Sequence, residues 1–452
     1  MKNYKSIALY RGGLRITDLK NIVVEIIEFI IRNGLLIHDR GRPYLNCGSY
    51  YLLLKPEELT EIICFLIHPE QASQIPTRAV DEAVKRLLRH PGIMVDMEAE
   101  RQRSEHLVNV QNGIFDCKTG EFTTDRMDYK FDYQLDFEYQ SGQNIFNARN
   151  FVAFISSSLG QAFLDCIERM LGYIVSSLIL ARVAFLLIGI GATGKSTLLE
   201  FIEHIVGTDH CSHVPFHRVG NMQARAEYYA KRLNISRDNS QRPMKDEDAF
   251  KNLVSCEMVT ARFLYENAFD FVPRLKMIFA SNVPMNFAHA DDAVYDRLMV
   301  VPFEKEIPND KRDRDLLTKL LQERDIIFSV ALDQLPDLIH SGYDFMEPER
   351  CKRIIDGYRA ALHTAEHFLN ERCILSEKGT VSSVLLYKQY CSWCAENGLQ
   401  PDGQKTFYAR VRTCSAEITE GKVNADGSRV NGFRGIALKQ ADEAKTGGKQ
   451  AE

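Results

Sequence analysis

Phe185-Leu-Leu-Ile-Gly189-Ile-Gly191-Ala-Thr193-Gly194-Lys195-Ser196-Thr197 decides the reading of this chain. The apolar run from Val183 to Ile188 has the composition of a buried parallel strand. Beyond it, Leu198, Leu199, Ile202, Ile205 and Val206 recur at helical spacing, and Gly207 ends the pattern. Strand, G-x-x-x-x-G-K-S and helix, in that order, form the context that a phosphate-binding P-loop requires. Gly189, Gly191 and Gly194, with Ala192 and Thr193 between them, let the backbone curl until its N–H groups face phosphate oxygens. The helix beginning at Lys195, Ser196 and Thr197 adds positive potential at its N-terminus. Lys195 is placed to reach the β- and γ-phosphates of a nucleoside triphosphate, and Ser196 to hold Mg2+.

Hydrolysis needs more than a phosphate cradle. Lys231-Arg-Leu-Asn-Ile235-Ser-Arg-Asp238 reads as a second strand ending in an acid, which would hold the metal and polarise water. A solvated loop aspartate fits the same spacing. Leu275-Lys-Met-Ile-Phe-Ala-Ser-Asn282 is a clearer strand that stops before Pro284. An amide at its tip, Asn282, can sense a γ-phosphate and position the attacking water, or simply open a turn. Asp296-Arg297 precedes a further apolar strand, Leu298-Met-Val-Val-Pro-Phe303. Arg297 is a candidate to stabilise charge on a transferring phosphoryl group, and otherwise a surface ion-pair residue. From about residue 180 to 340, apolar runs alternate with helical stretches, as in a parallel-sheet α/β domain.

With 452 residues, 45% of them hydrophobic, the chain has room for several domains, each with its own core. A net charge near −5 excludes neither nucleic acid nor protein partners. The start, Met1-Lys-Asn-Tyr-Lys-Ser, lacks the apolar core of a signal peptide. The apolar stretch Ile22 to Ile31 carries Glu25 and Glu28 and is too short to span a bilayer. The expectation is a protein of the cytoplasm of a bacterial host with no membrane partner. Of the eleven cysteines, only Cys391 and Cys394 form a C-x-x-C, and no second pair follows at zinc-site distance. Beside Trp393 on one helical face, they read as buried free thiols.

Residues 1–145 are expected to form an α+β region. Asp18 is a candidate cap for a helix running to Arg32, short strands and turns are expected over Leu35–Leu54, and helices over Pro56–Ile67 and Thr77–Arg89. Strands joined at Asn112-Gly113 and Thr119-Gly120 follow. Residues 1–145 carry no catalytic spacing. Residues 146–345 make up the ATPase-like domain with a helical lead-in. Residues 364–440 are separate in character, with helices over Ser383–Asn397 and Gln404–Cys414 and then a turn-rich β stretch with signals at Gly421, Asp426-Gly427 and Asn431-Gly432. Two helices and a β stretch fit a winged helix, with Lys405, Arg410 and Arg412 on the second helix and Lys422, Arg429 and Arg434 on the wing as candidate DNA contacts. Residues 401–440 hold seven Lys/Arg against four Asp/Glu, an excess that a protein-contact domain also tolerates. Residues 441–452 are polar and are expected to be disordered.

The order of P-loop, acid, amide and arginine resembles the superfamily 3 helicase domain of phage and plasmid primase-helicases, related to the poxvirus helicase-primase. The likeness covers about residues 105–440. It rests on Asn109-Val-Gln-Asn-Gly-Ile-Phe-Asp116, Leu171-Gly-Tyr-Ile174, the P-loop, Phe250-Lys-Asn-Leu-Val-Ser-Cys-Glu257, Phe279-Ala-Ser-Asn-Val-Pro284 and Asp296-Arg-Leu-Met-Val-Val-Pro-Phe303. The resemblance implies a hexameric AAA+ homo-oligomer that hydrolyses Mg-ATP and translocates on single-stranded or forked DNA. It makes Lys195 and Ser196 the Walker A pair, Asp238 the Walker B acid, Asn282 sensor 1, and Arg297 a finger acting across the subunit interface. Lys251, Glu257 and Arg262 fall in the motif before sensor 1, whose hairpin faces the pore in such helicases. Lys251, Arg262, Arg274 and Lys276 are accordingly candidate DNA contacts, though solvated strand positions suit the last three equally. Two features depart from the pattern. Asp238 stands where many relatives have glutamate, and Glu266-Asn267 occupies the hairpin turn in place of a lysine. The family's frequent N-terminal primase domain has no room in residues 1–104. A replication initiator that binds origin duplex without processive unwinding, and a P-loop ATPase that does not act on DNA, remain alternative readings.

Overall fold

The computed structural model describes residues 5–439, apart from Met127, 238–241, Pro243, 283–286, 288–290, His363, Gly398, Gln400 and 426–427. Asp238, Pro284, Asp426-Gly427 and the polar tail therefore lie outside the described residues. The fold is mixed α/β, with one parallel sheet of five strands and several antiparallel ones. The chain divides into two compact units, residues 1–289 with 297–351, and residues 290–296 with 352–452. Among the described residues no single helix is long and apolar enough to cross a membrane.

In the first unit, helix Ile22–Arg32 buries Ile22, Ile26 and Ile30 one turn apart. It starts later than Asp18 because that carboxylate caps nothing helical: it accepts from the Lys20 N–H and the Asn21 amide, closing a turn. An antiparallel sheet follows, β1 (Leu36–Asp39), β2 (Arg42–Asn46) and β3 (Tyr51–Leu53). Helices Pro56–Leu66 and Thr77–Leu87 cover a separate apolar core with Ile26, Ile63 and Leu87 at its centre. A second small sheet, β4 (Leu107–Val110), β5 (Gly113–Asp116) and β6 (Phe122–Thr123), turns at Gln111-Asn112, one residue before the expected place, with Gly113 already in β5 opposite Val110.

The main sheet consists of β7 (Ala184–Ile188), β8 (Cys211–Ser212), β9 (Leu233–Ser236), β12 (Lys276–Ser281) and β13 (Leu298–Pro302). Between β9 and β12 lies a hairpin, β10 (Val259–Ala261) and β11 (Phe269–Phe271), in the segment expected to form one. The spatial order is β13-β7-β12-β9-β8, parallel at every pairing. The strand before the glycine loop thus sits inside the sheet, flanked by the strands that lead to Asn282 and from Arg297. Leu186, Phe279 and Val300 are wholly buried, as strands covered on both faces require.

The core boundary differs from the one expected. Leu107, Phe115, Leu135 and Phe137 pack in the same cluster as Phe185, Leu198 and Phe328, so the small β4–β6 sheet belongs to the main core and the N-terminal core ends near residue 104. Phe137 stacks on Phe328 at 5.2 Å between centroids, a contact no local periodicity announces.

The second unit runs helix Thr364–Arg372, β14 (Cys373–Ser382), helices Ser383–Glu396 and Gln404–Cys414, then β15 (Thr419–Ala425) and β16 (Ser428–Leu438). The sheet order is β14-β16-β15. Gly421 and Gly432 are not turns but face one another across the hairpin. A side chain at Gly432 would meet the Val381 carbonyl and Val423 at 2.3 Å, so glycine is there for close strand approach. Cys394 is buried in this core beside Tyr390 and Phe407, and Cys391 packs at its margin.

Candidate nucleotide site and nucleic-acid contacts

The glycine loop leaves β7 and enters helix Lys195–Val206 through backbone that needs its glycines. Gly189 has φ +151°, and a Cβ there would sit 1.8 Å from the Phe303 carbonyl oxygen. Gly194, the residue before the helix, has φ +97°, and its Cβ would meet the Phe154 ring at 2.5 Å. Ala192 also has positive φ, at 58°, a conformation that costs a residue with a Cβ. Gly191 faces open space. The loop is tethered from both sides: Gly189 N–H donates to the Ser281 carbonyl at 3.1 Å, and Ile307 N–H to the Ala192 carbonyl at 3.0 Å.

Lys195 is 7% exposed and folds over its own loop. Its Nζ donates to the carbonyls of Gly189 at 2.7 Å and Ile190 at 2.6 Å and lies 3.3 Å from Thr193 Oγ1. Burial lowers its pKa from the ordinary lysine value. Ser196 is exposed at the first turn of the helix. The positive end of that helix and a cation held within the loop make a cradle whose chemistry suits a polyphosphate. Phe154 and the buried Ser158, both beneath Gly194, are parts of this cradle that the motif did not indicate.

Of the other residues expected at a hydrolytic centre, Asn282 stands at the carboxyl edge of the sheet. Asn282 is exposed and directly follows β12, the neighbour of β7. Asp238 lies outside the described residues, but its neighbour Arg237 is anchored, forming an ion pair with Glu203 on the loop's helix. His213 Nε2 reaches the other Glu203 oxygen at 3.1 Å. Ligands of open α/β sheets bind outside this edge. Arg297 is not there. It stands before the first residue of β13, where its carbonyl accepts from Ala184 N–H at 2.8 Å and its Nε donates to Ser255 Oγ at 3.2 Å. It occupies the amino edge, one strand length of about 16 Å from the glycine loop.

The candidate DNA contacts separate by exposure. Arg262 is exposed beside the β10–β11 turn, whose tip presents Leu264 at 69% and Tyr265 at 97% exposure. Lys251 pairs with Asp248 at 2.7 Å within its helix, with its side chain 20% exposed. Arg274 is 15% exposed and donates to Glu98 at 2.9 Å. Lys276 is 3% exposed, its Nζ 4.7 Å from the centroid of the Tyr173 ring and its pKa pushed down to about 7 by burial. An ammonium so enclosed cannot meet a phosphate backbone at the surface, which removes Lys276 from the set. In the second unit Lys405, Arg412, Lys422, Arg429 and Arg434 are all exposed. Arg412 pairs with Glu420 at 2.6 Å, and Arg410 with Asp402 at 3.2 Å.

The D5 N-terminal-like family matches residues 54–168, and the family of unknown function DUF5906 matches residues 187–297, the glycine loop included. Domains of these two kinds occur in phage and viral primase-helicase proteins. The chain is similar to those replication proteins. The first match reaches back into the region whose sequence carried no assigned role. Among solved structures, the apo structure of the NrS-1 C-terminal region (305–718) has a TM-score of 0.50 at 11% identity, covering 91% of this chain and 99% of that one. The A form apo structure of the same region gives 0.49 at 10% identity, with 92% and 98% covered. At such identities the likeness is one of fold. No curated protein matches the sequence.

Proposed function

We propose that the chain is the ATP-driven DNA helicase of a mobile element's replication apparatus, working as a ring of identical subunits with AAA+ cores. The observation that carries this is the separation of the lysine loop and Arg297 to opposite edges of one sheet. A loop at the carboxyl edge and an arginine at the amino edge cannot serve one reaction within a chain. They can serve it between chains, each Arg297 reaching the loop of its neighbour. The parallel sheet, the exposed hairpin tip at Tyr265 and the similarity to primase-helicase proteins support the same reading.

Within a site, the N–H groups of the glycine loop and Lys195 would bind the β- and γ-phosphates, and Ser196 with Asp238 would hold Mg2+. The bound metal and triphosphate supply an electrophilic phosphorus and its leaving group. Asn282 orients the water, and Arg297 of the adjoining subunit offsets charge gathering on phosphate oxygens. Lys195 must exchange its loop carbonyls for phosphate oxygens, so binding and loop rearrangement are coupled. The hairpin tip, with Arg262 at its flank and Tyr265 at its apex, suits a strand passing by, its bases stacked on the ring.

ATPase and strand displacement on forked DNA, with the mass of the nucleotide-bound assembly, test this. Single-strand-stimulated hydrolysis by a ring that separates the fork is expected. Hydrolysis indifferent to every DNA would leave only a P-loop ATPase. A second reading comes from the five exposed cations of the second unit, whose helix–strand–helix–helix–hairpin order is that of a winged helix: origin-duplex binding without unwinding, which the same fork assay separates.

A further inference from the structure

A cavity of about 410 Å³ lies at the amino edge of the main sheet, away from the glycine loop. Ser177, Arg232 and Arg274, which precede β7, β9 and β12, form its floor, and Arg42 lies on the facing wall with the hairpin residues Met258 and Phe269. Seven Lys/Arg and four Asp/Glu line it. The acids are largely engaged: Asp132 pairs with Arg101 at 2.8 Å, Glu98 with Arg274, and Asp270 accepts from Thr260. Positive charge is left over, and in a partly enclosed space that charge favours an anion.

Two polar groups are left incomplete. Arg274 Nη1 is shielded from solvent and makes no hydrogen bond among the described residues, with a Glu105 carboxylate oxygen 3.8 Å away. The Tyr228 hydroxyl, on a residue 1% exposed, has no hydrogen-bond partner among them either. Arg232 is held by the carbonyls of Val175 and Ser176 at 3.0 and 3.2 Å and lies over the Tyr133 ring at 3.3 Å. The opposite wall is aromatic and cationic together. The Arg42 guanidinium covers Tyr229 at 3.8 Å and Phe269 at 5.1 Å, and Phe271 meets the Tyr229 ring edge-on at 5.6 Å. Guanidinium planes and rings are surfaces on which bases stack. The volume is that of a small-ligand pocket.

We infer that this cavity binds a nucleotide unit, its phosphate directed at Arg232 and Arg274 and its base against the wall of Arg42, Tyr229 and Phe269. The unit comes either from a free nucleotide or from a single strand of nucleic acid. This assignment is independent of hydrolysis at the Lys195 loop. Because β11 forms part of the wall, occupancy would brace the hairpin that carries Tyr265.

The test uses the full chain carrying Lys195→Ala, which silences the glycine loop. A fluorescent deoxyadenosine triphosphate and a dye-labelled short oligothymidylate are titrated by anisotropy into this protein and into versions adding Arg42→Ala or Met258→Trp. Met258 is 68% exposed, so the larger ring fills the cavity mouth without disturbing a core. At least one probe is expected to bind, and each added change to weaken it about tenfold or more with the unfolding temperature unchanged. Sensitivity of the free nucleotide alone identifies a small-molecule site, and sensitivity of the oligonucleotide a strand path. Absence of binding by both probes overturns the assignment. So does a result in which no bound probe is weakened by the added changes.

Discussion

Arg297 and Ala184 are joined by a backbone hydrogen bond of 2.8 Å at the start of two neighbouring parallel strands, one of which ends in the glycine loop. The bond fixes Arg297 at the far edge from Lys195. Arg297→Ala is expected to leave nucleotide affinity within about twofold and to lower turnover by about 10³-fold or more. Lys195→Ala is expected to remove nucleotide binding at the loop. Mixing the two inactive proteins should restore measurable turnover, because some interfaces then pair an intact loop with an intact arginine. Turnover in the mixture no higher than the sum of the separate proteins would refute a shared site.

Gly194 and Gly191 differ by three positions and, in consequence, by everything that matters for substitution. Alanine at 194 must adopt φ near +97° and overlap Phe154, which should cost about 2–4 kcal/mol of stability. Alanine at 191 meets nothing and should change stability by about 0.5 kcal/mol or less. Chemical denaturation of the two variants checks the contrast, and equal losses would mean the loop is not held as described.

Lys276 gives a pH signature. Its folded pKa, about 7, lies below the ordinary value of 10.5, so between these limits the unfolded chain binds a proton that the folded one refuses. Stability therefore rises with pH across that window, and the destabilisation is fully developed below about pH 7. Lys276→Met should stabilise the protein at pH 7 and lose that advantage as pH approaches 10.5. A variant equally stabilised at both ends of the range would show that the charge is not the cause.

Asn109 is fully buried and ties three segments: its amide donates to the carbonyls of Ser49 at 2.9 Å and Tyr133 at 2.7 Å, and its oxygen accepts from Arg126 at 3.1 Å. Asn109→Leu leaves these groups without partners and should cost about 2–4 kcal/mol, read by thermal or urea unfolding. Unchanged nucleotide affinity in the folded variant is also expected, since the residue holds structure and touches no phosphate.

That last case shows what the sequence exposes and what it hides. The stretch around Asn109 and the Leu171-Gly-Tyr-Ile174 stretch stood out as family-like wording, yet both act in packing. A side chain at Gly172 would strike the Ala331 carbonyl at 2.2 Å, so the glycine lets two helix backbones touch. The loop strand was legible as an unbroken apolar run, and the loop helix and Gln404–Cys414 because a 3.6-residue period governs which side chains are buried. Gly421 and Gly432 misled because glycine marks close approach as well as turns. Lys276 misled because a cation's burial depends on Tyr173, a hundred residues away in sequence, and the two-residue strand Cys211–Ser212 is too short to carry a period at all. The cavity beside Arg42 and Arg232 was invisible for the same reason: its walls come from seven separated segments.

The strand β13 has a use beyond completing the sheet. It begins next to Arg297 and ends just before Phe303, whose carbonyl fills the space a Gly189 side chain would need and whose N–H donates to the Ile188 carbonyl at 2.7 Å. The chain just beyond it holds Ala192 through Ile307. A rearrangement of the glycine loop around phosphate must push on that end, and five hydrogen-bonded residues do not compress. In the proposed ring the strand would serve as a push-rod, linking what one subunit has bound to the position of the arginine it offers to the next.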